Sequence, residues 1–293
     1  MYNHNKKCRF CDSLRVYTWT NKPKIYIKCF DCNFISVNPL PSKQELDDHY
    51  LLYHDKNHQA VTEKNDLRLQ SYHQEIDWLC NHIDFKTHSR ERPLCIFDYG
   101  CSGGYFLDIF KEKLNDIPLL LKGDDKSNPA IKILKEKNYY ISLSDIIVEN
   151  LSFDIVILRG VIEHVPDFRG LFQSLSQILT KGGYLFITAT PNGSSPCATL
   201  YRHNWVQHHY PSHIQHFSSH HLDYLAALNN LIRVDSIDLY SDSPYKKDTD
   251  IETFCDSIQQ GTIRYTNHCQ DNLNSLKHAF FESMLTILYQ YKY

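Results

Sequence analysis

At 293 residues, with 42% hydrophobic and 22% charged residues, the chain has room for one sizeable soluble domain and a small appendage. Its net charge of −3 excludes a general electrostatic attraction to nucleic acid or an anionic membrane, and no apolar run reaches membrane-spanning length. Residues Met1 to Lys7 are too polar for a signal peptide, so a cytoplasmic location is expected, with the ten cysteines as thiols or metal ligands rather than disulfides.

Residues 1–40 carry two C-x-x-C pairs, Cys8-Arg-Phe-Cys11 and Cys29-Phe-Asp-Cys32, with 17 residues between them. That spacing fits a Cys₄ zinc ribbon, in which each turn places two sulfurs on one ion and a hairpin completes the tetrahedron. Asp12 and Asn33 follow the second cysteine of each pair and suit the positive φ such turns need. Tyr17 to Thr20 and Lys24 to Lys28 supply the strands. A segment this small has little core of its own, so the metal is expected to carry its folding. A closed site does no chemistry, which makes the ribbon a docking element. Seven Lys and Arg against Asp12 and Asp31 leave it modestly basic, as a phosphate-bearing substrate, RNA or plain solvent would each allow.

Residues 41–92 read as a helical connector. Ser42-Lys-Gln-Glu45 has the capping-box pattern, and Leu69, Tyr72, Ile76, Leu79, Cys80 and Ile83 recur at helical spacing. This second helix is expected to pack on the main sheet or cover its ligand cleft.

Residues 93–240 alternate strands and helices, the signature of a Rossmann-like, doubly wound, mostly parallel α/β sheet. Leu94 to Phe97 is a buried strand, followed by Asp98, a glycine turn from Gly100 to Gly104, and a helix through Leu114. A second strand, Leu119 to Leu121, runs to Asp125, and Ser127 caps the next helix. Tyr139 to Leu143, Phe153 to Leu158, Tyr184 to Ala189 and Leu231 to Leu239 complete six expected strands, with helices capped by Asp167 and Ser218. The turn Gly100-Cys-Ser-Gly-Gly104 also fits G-x-S-x-G, the nucleophile elbow of serine hydrolases. That elbow needs several strands before it, whereas here a ribbon and helices precede it. A nucleotide-type site needs an acid ending the next strand, and Asp125 stands there, 25 residues after Gly100.

Asp98-Tyr-Gly-Cys-Ser-Gly-Gly-Tyr-Phe-Leu107 resembles motif I of class I S-adenosylmethionine-dependent methyltransferases, D-x-G-x-G-x-G, with Ser102 in place of the middle glycine. Phe153 to Asp167 resembles the family's fourth strand with its "EHV.D" loop, and Leu179 to Asn192 its "L.PGG...I..PN" segment. Pro211-Ser-His-Ile-Gln-His-Phe-Ser218 is similar to the "P.H..HFS" segment of the small-molecule branch, which methylates quinone precursors, sugars and glycans. The ribbon followed by Asn38 to Tyr50 is similar to the zinc module of some nucleotide-sugar C-methyltransferases. The resemblance implies that Asp98, Gly100, Ser102 and Gly104 hold the amino-acid end of S-adenosylmethionine, that Asp125 accepts from both ribose hydroxyls, and that Ser144 and Asp145 lie at the adenine.

Methyl transfer needs positioning and, for a hydroxyl acceptor, a base. Glu163-His164 lies at the carboxyl end of the fourth strand, and seven of the seventeen histidines fall between His203 and His221. His213 or His164 is the expected base. In the tail, residues 241–293, Leu273 to Leu288 has helical spacing, and Thr262 to Thr266 is the only candidate for a seventh strand. The expected function is methylation of a small-molecule, nucleotide-sugar or glycan-precursor acceptor, with O-methylation preferred. The competing readings are a zinc-ribbon RNA methyltransferase and a non-catalytic protein of the same fold.

Overall fold

The computed structural model describes residues 7–21, 24–56, 66–85, 92–237, 250–259, 280 and 282–292. A six-stranded sheet runs in the order β5 (Leu119–Asp124), β4 (Leu94–Tyr99), β6 (Phe153–Arg159), β7 (Leu179–Pro191), β10 (Met284–Tyr291), β9 (Leu231–Ile237). The pairs β4–β5, β4–β6 and β6–β7 are parallel, while β10 is antiparallel to both its neighbours. This is the arrangement of a class I methyltransferase fold.

Successive residues of the central strands enter opposite apolar layers, as a pleated strand buried on both faces requires. Ile96, Ile155, Ile157 and Phe186 pack with Ile76 and Leu79 of the helix Asp66–Cys80, and with Phe106 and Phe110 of the helix Tyr105–Lys113. Phe97, Val156, Leu158 and Leu185 pack instead with Phe168 and Phe172 of the helix Phe168–Gln177 and with Leu222 and Leu225 of the helix Ser219–Leu228.

The second layer also contains Phe10, Ile27 and Phe34 of the amino-terminal ribbon. Tyr26 and Ile35 are fully buried, so the ribbon has a core after all; it borrows one from the main domain. Its strands β1 (Val16–Thr20), β2 (Tyr26–Cys29) and β3 (Ile35–Val37) form a four-stranded sheet whose last member, β8 (Gln215–His216), comes from the main domain. Asp12 and Asn33 adopt φ of 64° and 63°, as the two turns demand.

Two expectations are corrected. The third strand, Tyr139 to Leu143, contracts to a single bridge between Gly123 and Tyr140. Ser142 accepts a hydrogen bond from Asp145 N at 3.1 Å and starts the helix Leu143–Val148, which ends the extended run early. The expected carboxy-terminal helix is replaced at Met284, Leu285 and Leu288 by strand β10, whose Thr286 to Tyr289 are all buried. A strand buried on both sides is apolar throughout and mimics helical spacing. Thr262 to Thr266 and the start of that run lie outside the described residues.

Candidate active site

Because β4 to β7 run parallel, their carboxyl ends meet along one edge of the sheet, where α/β proteins bind ligands. A cavity of about 610 Å³ opens there, within the range of small-molecule sites. Asp98, Gly100, Ser102, Asp124, Asp125, Arg159, Glu163, His164 and His213 line it.

The glycine turn forms one wall. Gly100 has φ of 74°, and a Cβ there would meet Val161 at 2.6 Å, so only glycine serves. Ser102 also takes a positive φ, 52°, which is why glycine is usual at that place in motif I; the serine is accepted in the same conformation. Its backbone N–H donates to Asp125 Oδ2 at 2.9 Å, and Ser127 N donates to Asp125 Oδ1 at 2.9 Å. Asp125 thus stitches the first turn to the second, and each oxygen retains a lone pair for a ligand.

Asp98 is the electrostatic oddity of the site. Only 2% exposed, it has an Oδ1 with no hydrogen-bond partner. Burial holds its carboxyl well above the usual range, Arg159 opposes that shift, and Asp125 and Glu75 reinforce it. A carboxyl in this state is incomplete without a cationic or donor ligand.

The helix Asp66–Cys80 both packs on the sheet and covers the cavity. Its Ser71, Tyr72 and Glu75 line the site, and Glu75 takes two hydrogen bonds from Arg159, each at 2.8 Å. Arg159 also lies over the Tyr72 ring at 4.4 Å. Tyr72 stood out only through its helical spacing, and the pairing of Glu75 with Arg159 did not stand out at all, because it spans 84 positions and has no local pattern.

On the opposite wall a short helical turn, Ile162–His164, follows β6. Glu163 is 1% exposed, and burial pushes its carboxyl up to about 8. His164 Nδ1 lies 3.0 Å from Ser212 O, and His213 Nδ1 lies 2.7 Å from Gln207 O. Their rings meet edge to face with centroids 4.7 Å apart. Burial drives His164 down to about 4 and His213 well below its ordinary value. Both are neutral imidazoles near pH 7 and, acting alone, weak proton acceptors.

The ribbon anchors this wall. Tyr26 Oη donates to His213 O at 2.8 Å, and Ile214 N donates to Glu163 O at 3.1 Å. Gln215, fully buried, donates from Nε2 to Ile162 O at 2.9 Å and to Val165 O at 2.7 Å, and accepts from Arg9 Nη1 at 2.7 Å. In the "P.H..HFS" pattern Gln215 falls at an unspecified position, so nothing in the sequence marked it.

Gly104 starts the helix Tyr105–Lys113 behind the turn and does not line the cavity. Ser144 and Asp145 do not line it either: both lie in the first turn of the helix Leu143–Val148 and hydrogen-bond to Ser142 Oγ, at 2.8 and 2.6 Å. At the far end of the ribbon, the four sulfurs of Cys8, Cys11, Cys29 and Cys32 lie within 4.8 Å of one another. Backbone N–H groups of Phe10 and Asp31 point at Cys8 Sγ and Cys29 Sγ, at 3.4 and 3.3 Å.

Residues 72–233, more than half of the chain, match a family described as a methyltransferase domain. The ubiquinone biosynthesis O-methyltransferase of Pelagibacter ubique is 28% identical over 115 residues, 36% of this chain and 46% of that protein. The human mitochondrial ubiquinone biosynthesis O-methyltransferase is 32% identical over 118 residues, 35% of this chain and 31% of that protein. The chain therefore spans less than half the length of these relatives. In fold it is similar to magnesium protoporphyrin IX methyltransferase from Synechocystis, solved with bound SAH, at a TM-score of 0.53 and 10% identity over 85% of this chain and 100% of that one.

Proposed function

The chain belongs to the methyltransferase-domain family, and from that premise we propose that it methylates a hydroxyl of a small-molecule or sugar-type acceptor with S-adenosylmethionine. The observation that carries this reading is the Asp98 carboxyl, buried in the cavity wall with an unpartnered oxygen beside the Gly100–Gly104 turn. The amino-acid end of the methyl donor carries an ammonium group, which would supply the missing partner and favour the ionised carboxylate. When bound, the donor supplies a methyl group on a positively charged sulfur.

The chain's own residues do the rest. The backbone from Gly100 to Ser102 fixes the amino-acid end, and the remaining lone pairs of Asp125 accept from ribose hydroxyls. Arg159, held by Glu75, keeps the acidic floor from repelling itself. The helix Asp66–Cys80 excludes water from above. The acceptor hydroxyl meets the wall of Glu163, His164 and His213, where the lone pairs of three side chains lower the cost of removing its proton. The kinship to O-methyltransferases and the net charge of −3 both favour a small acceptor over nucleic acid.

In the ribbon, the four cysteines hold a structural zinc ion in this reading. Four converging sulfurs with N–H groups aimed at two of them fit a closed thiolate site. The test is calorimetry of the zinc-loaded protein with S-adenosylhomocysteine, followed by methyl-label transfer from S-adenosylmethionine to a panel of phenols, catechols and nucleotide sugars. Binding that is lost in Asp125→Ala supports the proposal, and absence of binding to the wild type overturns it.

A further inference from the structure

We propose that Lys28, Trp19 and Arg202 form a binding site for a phosphate group where the ribbon meets the segment following the helix Pro196–Tyr201. Lys28 lies in β2, inside the four-stranded sheet, and is only 8% exposed. Its Nζ stands 4.3 Å from the centre of the Trp19 ring. Arg202 reaches the same ring from the main domain. Its guanidinium carbon is 4.4 Å from that centre, and its Nη2 donates to Trp19 O at 3.1 Å. Two cations thus share one indole.

The site is rich in donors and lacks an acceptor. Among the described residues Lys28 has no hydrogen bond or ion pair, and the buried Nε1–H of Trp19 has no partner. An aromatic face attracts a cation but offers no lone pair to its N–H groups, so a buried ammonium stays incompletely satisfied. Burial holds Lys28 below its ordinary value, and Arg202 adds to that shift. What completes such a site is an anion with several acceptor oxygens, the description of a phosphate.

The backbone points the same way. Arg202 is half-buried and takes a φ of 44°, which residues with side chains rarely adopt and which persists only where the surroundings impose it. A merely solvated basic face needs neither that strain nor the burial of Lys28. Recessed cations also suit a compact phosphate or phosphate ester over an extended polymer. None of the three residues lines the large cavity, so the inference stands apart from the methyl-transfer reading. The chain beginning at Arg202 goes on to place Gln207, His209 and His213 in that cavity, and a bound phosphate would fix its near end.

The experiment titrates inorganic phosphate, and separately glucose 1-phosphate, into the full-length protein in phosphate-free buffer, read by calorimetry and tryptophan fluorescence. Saturable binding is expected, weakened at least ~10-fold in Lys28→Met and in Arg202→Gln, with the affinity for S-adenosylhomocysteine unchanged. Lys28→Met removes an unpaired buried charge, so its Tm without phosphate should rise, and the further rise that phosphate gives the wild type should disappear. Tighter binding of the ester identifies the occupant as an organic phosphate; equal or weaker binding identifies free phosphate. A wild type that binds neither probe overturns the inference, and so does binding undiminished in both variants. Should Lys28→Met fail to fold, Arg202→Gln decides alone. Phosphate binding without binding of S-adenosylhomocysteine keeps this site and removes the methyl-transfer reading.

Discussion

Replacing Gln215 with alanine tests whether strand β8, on which the ribbon pairs, holds the acceptor wall in place. The amide donates to the carbonyls of Ile162 and Val165 from a position with no solvent exposure. Alanine leaves the half-buried Val165 carbonyl without a donor, at roughly 1–1.5 kcal/mol, and leaves Ile162 O with only the longer bond from Val165 N at 3.3 Å, a loss of about 0.5–1 kcal/mol. Lost burial of the apolar stem adds about 1 kcal/mol. Arg9 Nη1 also loses its acceptor, but Arg9 is partly exposed and water restores most of that bond. The expected cost is therefore about 2.5–3.5 kcal/mol, read by urea denaturation. Because the freed turn carries Glu163 and His164 while Asp98 lies on β4 and Asp125 just after β5, kcat should fall with the affinity for S-adenosylhomocysteine nearly unchanged. A loss under about 1 kcal/mol with normal kcat would refute the reasoning.

Asp98→Asn should have opposite effects on the free and bound protein. A carboxyl whose folded pKa is raised contributes stability below its unfolded pKa of 3.8 that disappears as pH rises through the folded value. The amide is thus expected to raise Tm at pH 7–8 without ligand, and to weaken S-adenosylhomocysteine at least ~10-fold by calorimetry; a lowered Tm with normal binding would contradict both. Asp154 has the reverse linkage: burial alone would raise its carboxyl, but Arg92, Cys95 N and Thr180 hold it below 3.8. The stability it provides is present above pH 3.8 and lost as pH falls through the folded value, so Asp154→Asn should flatten the acid limb of a Tm-against-pH curve. If the four cysteines hold the proposed zinc ion, a strong chelator should lower Tm and increase proteolysis near residues 209–216, since Tyr26 bonds to His213 O and Ser36 pairs with Gln215. Unchanged cleavage there would mean that the ribbon stands without its ion.

What could be read from the sequence was what short-range pattern encodes. The turn from Gly100 to Gly104, the acid at Asp125 and the two C-x-x-C pairs each lie within a few residues of the backbone they shape, and the central strands announced themselves as apolar runs. What could not be read depends on partners far along the chain. Arg159 meets Glu75 across two elements, and the carbonyl of Gln207 decides which nitrogen of His213 carries a proton. Strand β10 was hidden because full burial erases the alternation that distinguishes strand from helix. Ser142 was overlooked as a cap, so Ser144 and Asp145, expected at the end of the third strand, fall in a helix instead.

The pairing of Ile35 and Ser36 with His216 and Gln215 has a consequence for how this chain can vary. A crossover anywhere in residues 41–92 that imported a foreign ribbon would bring an edge strand with the wrong partner for Gln215–His216. The two halves are therefore expected to be inherited together, and a chimera will need the ribbon and the segment around Pro211 to Ser218 taken from the same parent.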